Sequence, residues 1–209
     1  LDLLEQNNEY DLLVIGGGIV GSAILELAAS KGISTILLEK NDFASGASSR
    51  STKLLHGGIR YLPQLQFGLV RESLKEQVIL KESLGGLYKP LKLLAPIYKN
   101  DGFSDLPTLL QGNLLAPIAF KMGLTFYDFL GSRKKSQKHK KITKDATANL
   151  FPKLNQSNLS KSFMFHDAQT DDSKLVVTLL RNATEINNAT ALNYVDIKEI
   201  SRSNTGYDI

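Results

Sequence analysis

Three glycines and one acid carry the first chemical signal in the chain. Gly16, Gly18 and Gly21 occupy the G-x-G-x-x-G positions of GGGIVG, and Glu39 stands 18 residues after the last of them. The first glycine permits a tight strand-to-helix turn, and the second lets a pyrophosphate approach the main chain. The third lets the helix pack close on the strand before it. An acid at the position of Glu39 accepts hydrogen bonds from ribose hydroxyls and repels a 2′-phosphate, so FAD or NAD is favoured over NADP. GGGIVG alone is also compatible with a plain glycine-rich turn. Its flanking strand, helix, second strand and acid in register select dinucleotide binding.

A second stretch, Asn41 to Leu62 (NDFASGASSRSTKLLHGGIRYL), is crowded with Ser, Gly and Arg. As a linker it would be soft and exposed. As a site, its hydroxyls and backbone N–H groups suit a pyrophosphate, and Gly57-Gly58 lets backbone lie against a flat ring. Composition leaves both readings open. Lys53 is either a cation beside the ring or a solvated lysine. Asp171 and Asp172 form a pair of carboxylates, which helix capping by Thr170 or Asp171 explains. His166 reads as a structural residue on a strand.

The elements that must position these residues follow from the apolar pattern. Asp11–Ile15 is a short apolar run suited to a buried parallel strand. A helix from about Ile19 to Lys31 aims its free N–H groups at the phosphates, and Gly32 ends it. Ser34–Glu39 is the second strand. Gln66–Leu84 has a helical period through Val70, Leu74, Val78 or Leu80, and Leu84, and Gly85-Gly86 stops it. Leu91–Tyr98 reads as a strand broken by Pro96, hence at an edge or bend. Asp105–Gly131 is apolar and mostly helical, with Pro107 and Pro117 at starts or kinks and a stripe of Leu109, Leu110, Leu114, Leu115, Ile118, Ala119, Met122 and Phe126. That stripe reads as a packing helix, or as one dipping into a membrane surface. Asn149–Leu154 is a turn, Ser162–Gln169 a strand, Leu175–Ile186 an amphipathic helix and Ala189–Ile200 a strand. Ser203–Gly206 is a turn leading into a return strand at Tyr207–Ile209.

Composition bounds the rest. The chain has 209 residues, 42% hydrophobic and 22% charged, an ordinary globular balance. It has no cysteine, which excludes disulfides, thiolate metal sites and cysteine nucleophiles. Its three histidines, His56, His139 and His166, lack metal-ligand spacing. Leu1–Glu9 has no basic and apolar signal-peptide pattern, and no apolar run approaches the roughly 20 residues that span a bilayer. Of the 25 lysines and arginines, seven fall in Arg133–Lys144 (RKKSQKHKKITK), leaving 18 against 21 acids. The protein is thus a mildly acidic globule with one basic segment, read as a solvated loop or as a contact for anionic lipid, and not a nucleic-acid-binding face.

Ala47–Leu62 (ASSRSTKLLHGGIRYL) resembles the signature of the FAD-dependent glycerol-3-phosphate dehydrogenases. These are flavoproteins of the D-amino-acid-oxidase-like group. The resemblance continues at Tyr127–Gly131 (YDFLG) and at Phe165–Leu175 (FHDAQTDDSKL), where Lys174 replaces the usual Arg. It implies an α/β chain with a Rossmann-like FAD/NAD(P)-binding fold of glutathione-reductase type and part of an α+β substrate or cap domain, truncated. The expected division by role is 1–86 for the first FAD-binding segment, 87–161 for an inserted substrate-domain segment and 162–209 for the return to FAD binding. The resemblance assigns Ser48, Ser49, Ser51, His56, Gly57 and Gly58 to the pyrophosphate, ribityl and ring of FAD. It assigns Arg60 and Tyr61 to substrate. His56 is read as a hydrogen-bonding element rather than the base.

The activity implied is oxidation of sn-glycerol 3-phosphate to dihydroxyacetone phosphate, with electrons passed to a quinone. The alternatives are an oxidase using oxygen and an amine or amino-acid oxidase of the same fold. The location implied is cytoplasmic, at most peripheral on the inner face of the membrane. The return strand breaks off after three residues, and family members are several hundred residues longer. The chain is therefore expected to be an inactive N-terminal fragment, with the base and a second FAD-binding segment beyond Ile209.

Overall fold

The computed structural model describes residues 9–62, 64, 66–99, 115–131 and 138–209. The chain divides into two compact units, residues 1–53 with 171–209, and residues 54–170. These breaks follow packing. The division by role expected at 86/87 and 161/162 is a different partition.

The first unit is built on a parallel sheet. Strand β1 (Leu12–Ile15) feeds the glycine turn and helix α1 (Ile19–Ser30), which returns to β2 (Thr35–Glu39). β2 is central, flanked by β1 and by β7 (Thr190–Asn193), all parallel. All of β2 except Glu39 is buried, as befits a short apolar strand covered on both faces. α1 and a second helix, α5 (Asp172–Arg181), supply the apolar layer: Leu25 and Ala29 meet Val14 and Leu37, joined by Val176, Leu180 and Ala183. α5 runs on as a π-helical turn, Asn182–Ile186. The last expected strand is shorter than its pattern. β7 stops at Asn193 because Tyr194 turns left-handed, with φ 58°. Ser201–Arg202 (β8) and Tyr207–Asp208 (β9) then pair antiparallel across the expected turn.

The second unit centres on a long strand, β6 (Leu159–Gln169). β4 (Lys89–Tyr98) pairs antiparallel along nearly all of it. On its other side lie β3 (Leu54–Leu55) at one end and β5 (Lys140–Thr143) at the other. Among the described residues β4 is an edge strand, which suits Pro90 and Pro96 because neither can donate to a further neighbour. Helices α2 (Phe67–Ser83) and α3 (Leu115–Leu130) complete the unit. Leu124 packs with Ile97, Phe163 and Phe165, and Tyr127 packs with Val70 and Leu74.

Two expectations change in this unit. Lys140–Thr143 of the basic segment is a strand, not a loop, and helix α4 (Lys144–Leu150) follows where the pattern suggests only a turn at Asn149–Leu154. Thr143 caps α4 by accepting the Ala146 N–H at 3.3 Å. The strand forms because β6 has an open flank there, and pairing satisfies backbone groups that a loop would leave to water. Leu109, Leu110 and Leu114 of the apolar stripe, and Arg133 to Gln137 of the basic segment, lie outside the described residues.

Candidate functional site

The glycine turn in the first unit has the geometry its sequence demands. Gly16 adopts φ +105°, a conformation that residues with a Cβ rarely hold. A Cβ on Gly21 would fall on the Gly16 carbonyl oxygen, so this glycine lets α1 lie against the turn. Gly18 is the α1 N-cap and offers no side chain to the free amides. Ser48 supplies one instead: its Oγ accepts the Ile19 N–H at 2.9 Å, and a Cβ on Gly18 would sit 3.1 Å from that oxygen. The N-terminus of α1 and the serine segment therefore share one small cradle. Amides, a positive helix end and a hydroxyl around it suit a phosphate.

Glu39 ends β2 beside this cradle. Its Oε2 accepts the Gly17 N–H at 2.7 Å and its Oε1 the Asn41 N–H at 2.8 Å. The carboxylate is thus aimed by two backbone donors, and its remaining lone pairs are left for ribose hydroxyls. Gly17 has a role that the spacing rule does not assign it. A Cβ there would come 2.6 Å from Phe43 and 3.1 Å from the Glu39 Cβ. Ala44, buried and left-handed at φ 61°, returns its N–H to the Gly17 carbonyl at 2.9 Å.

The remaining serines are tied locally. Ser49 Oγ reaches the Gly46 carbonyl at 3.3 Å. Ser51 donates to Asp172 and accepts the Lys53 N–H at 2.8 Å. Lys53 is left-handed, with φ 59°. Asp171, not Thr170, caps α5 by accepting the Lys174 N–H at 3.3 Å. That bond, with the charges of Lys53 and Lys174, holds the Asp171 carboxyl below its ordinary range. Sequence spacing thus brought Gly16, Gly18, Gly21, Glu39 and Ser48 to one place in this unit, while Ser51 braces the loop against α5.

The second unit holds His56, Gly57, Gly58, Arg60 and Tyr61. Gly58 is left-handed at φ +80° and caps the 3-10 turn Ile59–Tyr61, on which Arg60 stands. Gly57 is buried, and a Cβ there would collide with Tyr127 Oη and Leu74. This explains both halves of the motif: the turn needs glycine, and the Tyr127 of YDFLG packs beneath it. His56 meets Tyr61 edge-on, with ring centroids 6.3 Å apart. Its Nδ1 is buried and has no hydrogen-bond partner among the described residues. His56 also lines a cleft of about 370 Å³ with Leu54, Leu55, Leu69, Ser73, Gln77 and others.

Two residues that pattern reading passed over hold this turn. Asp167 Oδ1 accepts the Gly57 N–H at 3.2 Å and also bonds Gln77 Nε2, which reaches the Leu55 carbonyl at 2.6 Å. Gln77, rather than Val78, continues the buried face of Val70 and Leu74. Its position in the helical period was a usable signal, since a polar residue on an apolar stripe demands partners. His166 sits on β6 opposite Lys92. His139, in the basic segment, is bound through its N–H and Nδ1 to the buried Asp128, at 2.8 and 2.7 Å.

A protein family described as FAD dependent oxidoreductase matches residues 11–209. The chain belongs to that family, whose cofactor suits the turn, acid and serine cradle of the first unit. It is 38% identical over 189 residues to the aerobic glycerol-3-phosphate dehydrogenase of Staphylococcus epidermidis, covering 90% of this chain and 32% of the relative. It is 37% identical over 212 residues to the mitochondrial glycerol-3-phosphate dehydrogenase of Saccharomyces cerevisiae, covering 98% and 30%. Among solved structures it resembles the glycerol-3-phosphate dehydrogenase from Bacillus halodurans complexed with FAD. The TM-score is 0.63 and the identity 26%, covering 96% of this chain and 29% of that one. The chain spans about a third of the length of the curated relatives it matches.

Proposed function

We propose that the protein carrying this chain oxidises sn-glycerol 3-phosphate to dihydroxyacetone phosphate with FAD and passes the electrons to a quinone. The shared activity of relatives 37–38% identical along nearly the whole chain carries this reading. The HGGIRYL segment agrees with it and argues against an amine or amino-acid substrate. Bound FAD supplies the hydride acceptor; the protein supplies orientation and electrostatics. Gly16, Gly18, Gly21 and Glu39 hold the ADP half. Ser48, Ser49, Ser51, His56, Gly57 and Gly58 follow the pyrophosphate, ribityl and ring. Arg60, with Tyr61, takes the substrate phosphate, because a guanidinium offers a dianion a planar pair of donors. Residues 1–86 and 162–209 then serve the cofactor, and 87–161 the substrate side.

The same reading sets α3 and the basic segment against the inner, anionic face of the membrane, where a quinone is found. Met122 and Phe129, two turns apart on one face of α3, are 68% and 77% exposed, while Leu124 and Tyr127 are buried. An exposed apolar stripe followed by lysines suits an interfacial helix. Among the described residues no helix is long and apolar enough to cross a membrane.

The test is anaerobic addition of glycerol 3-phosphate to the full-length protein. Bleaching of the flavin band is expected, and an unchanged spectrum sinks the proposal. Reoxidation by a quinone analogue, rather than by oxygen, then separates the dehydrogenase from the oxidase. Co-sedimentation with anionic but not neutral vesicles checks the membrane contact.

A further inference from the structure

The geometry points to Asp167 as a positioning residue, locked by Gln77, that fixes the His56–Gly57–Gly58 turn. Asp167 is 4% exposed and Gln77 9%. Burying a carboxylate is expensive unless hydrogen bonds compensate it. Here a single oxygen, Oδ1, receives both the Gly57 N–H and the Gln77 amide. The second bond of that amide goes to the Leu55 carbonyl. One carboxylate and one amide therefore cross-link β3, the turn, α2 and β6.

The place they hold has little room for change. Gly57 has no room for a Cβ, and Gly58 is left-handed. Fixing the Gly57 N–H fixes the His56–Gly57 peptide plane, and with it the backbone from which the His56 ring projects. That ring lines the cleft with its Nδ1 buried and without a partner among the described residues. A turn able to adopt several φ/ψ states would not hold it there, since two glycines in succession add backbone freedom. Asp167 removes that freedom. That the turn serves a flavin rests on the function proposed above; that Asp167 sets the turn does not.

The test uses the full-length protein with Asp167→Ala, Asp167→Asn and, as a structural control, Ser162→Ala. Ser162 is also on β6, but at the stretch that pairs with β5 rather than β3, and forms a buried bond with Thr147 at 3.0 Å. In the FAD-free protein, hydrogen exchange at the Gly57 amide should quicken about tenfold or more in Asp167→Ala, as for a lost hydrogen bond to a charged group. Asp167→Asn, which keeps an acceptor oxygen, should restore it. In the FAD-loaded protein, Asp167→Ala should alter the shape of the flavin absorption band and lower kcat about tenfold, with KM little changed. Asp167→Asn should again rescue. Ser162→Ala should lower Tm and leave the band and kcat alone.

Unchanged Gly57 exchange in Asp167→Ala overturns the proposal. So does a Ser162→Ala variant that reproduces the flavin effects. Quickened exchange with an unaltered flavin band and kcat keeps Asp167 as the residue that sets the turn and overturns the turn's service to the flavin. Should Asp167→Ala not fold, Gln77→Leu decides: faster Gly57 exchange supports the proposal and unchanged exchange rejects it. A wild-type protein that binds no FAD refutes the functional reading, and the exchange measurements still decide the role of Asp167.

Discussion

At Gly21 one carbon decides whether α1 can lie on the glycine turn. The missing Cβ would occupy the space of the Gly16 carbonyl oxygen, so Gly21→Ala must push the helix away. Overpacking of this kind destabilises by about 1–3 kcal/mol. The loss also moves the α1 amides off the cradle proposed for the FAD phosphates. Gly21→Ala in the full-length protein should therefore lower Tm and weaken FAD binding together, as read by calorimetry and flavin fluorescence. Glu39 makes a separate case. Its two oxygens accept the Gly17 and Asn41 amides, so Glu39→Ala frees the turn as well as removing the acceptor proposed for the ribose. Charge-assisted bonds contribute about 1.5–3 kcal/mol each, so FAD should dissociate at least tenfold more readily. Glu39→Gln, which keeps one acceptor oxygen, should fall between. Equal affinities for all three proteins would show that the carboxylate only braces its own loop.

Element ends respond to pH through the caps. Asp171 begins α5, and the Lys174 N–H it accepts lowers its carboxyl below the ordinary value of 3.8. A group whose pKa is depressed on folding adds stability above its unfolded value. That stability is lost as pH falls through the folded value. Asp171→Asn keeps a capping oxygen but not the charge. The Tm gap between wild type and Asp171→Asn should be flat above about pH 5 and close as pH drops below the carboxylate range. A gap that persists in acid would assign the effect to packing. These ends were legible in the sequence, as were β1, α1 and β2. Glycine, capping acids and short buried apolar runs act locally, so the spacing of Gly16, Gly18, Gly21 and Glu39 carries their geometry. The partnership of Asp167, Gln77 and Gly57 was not legible. It joins residues 90 or more positions apart, through a strand pairing that no local period encodes. Lys140–Thr143 escaped for the same reason: its charges read as loop, and the open flank of β6 overrode them.

At the scale of the whole molecule, the first unit carries apolar surface that its own elements leave uncovered. Among the described residues β1 pairs only with β2, and Ile15, Val20, Ile24 and Leu27 are exposed at its end and along α1. A patch of this kind marks a place for further protein, and the curated relatives are about three times as long as this chain. Dinucleotide sites of open α/β sheets draw on loops from several strands at the carboxyl edge. Among the described residues only β1, β2 and β7 contribute to that sheet. The 209 residues expressed alone should therefore retain little FAD after gel filtration and show no flavin reduction by glycerol 3-phosphate, whereas the full-length protein should do both. Adding a fluorescent probe of apolar surface should give strong emission with the short chain and weak emission with the long one. A yellow preparation of the 209 residues that glycerol 3-phosphate bleaches would show that the turn, the acid and the serine cradle suffice to hold the cofactor.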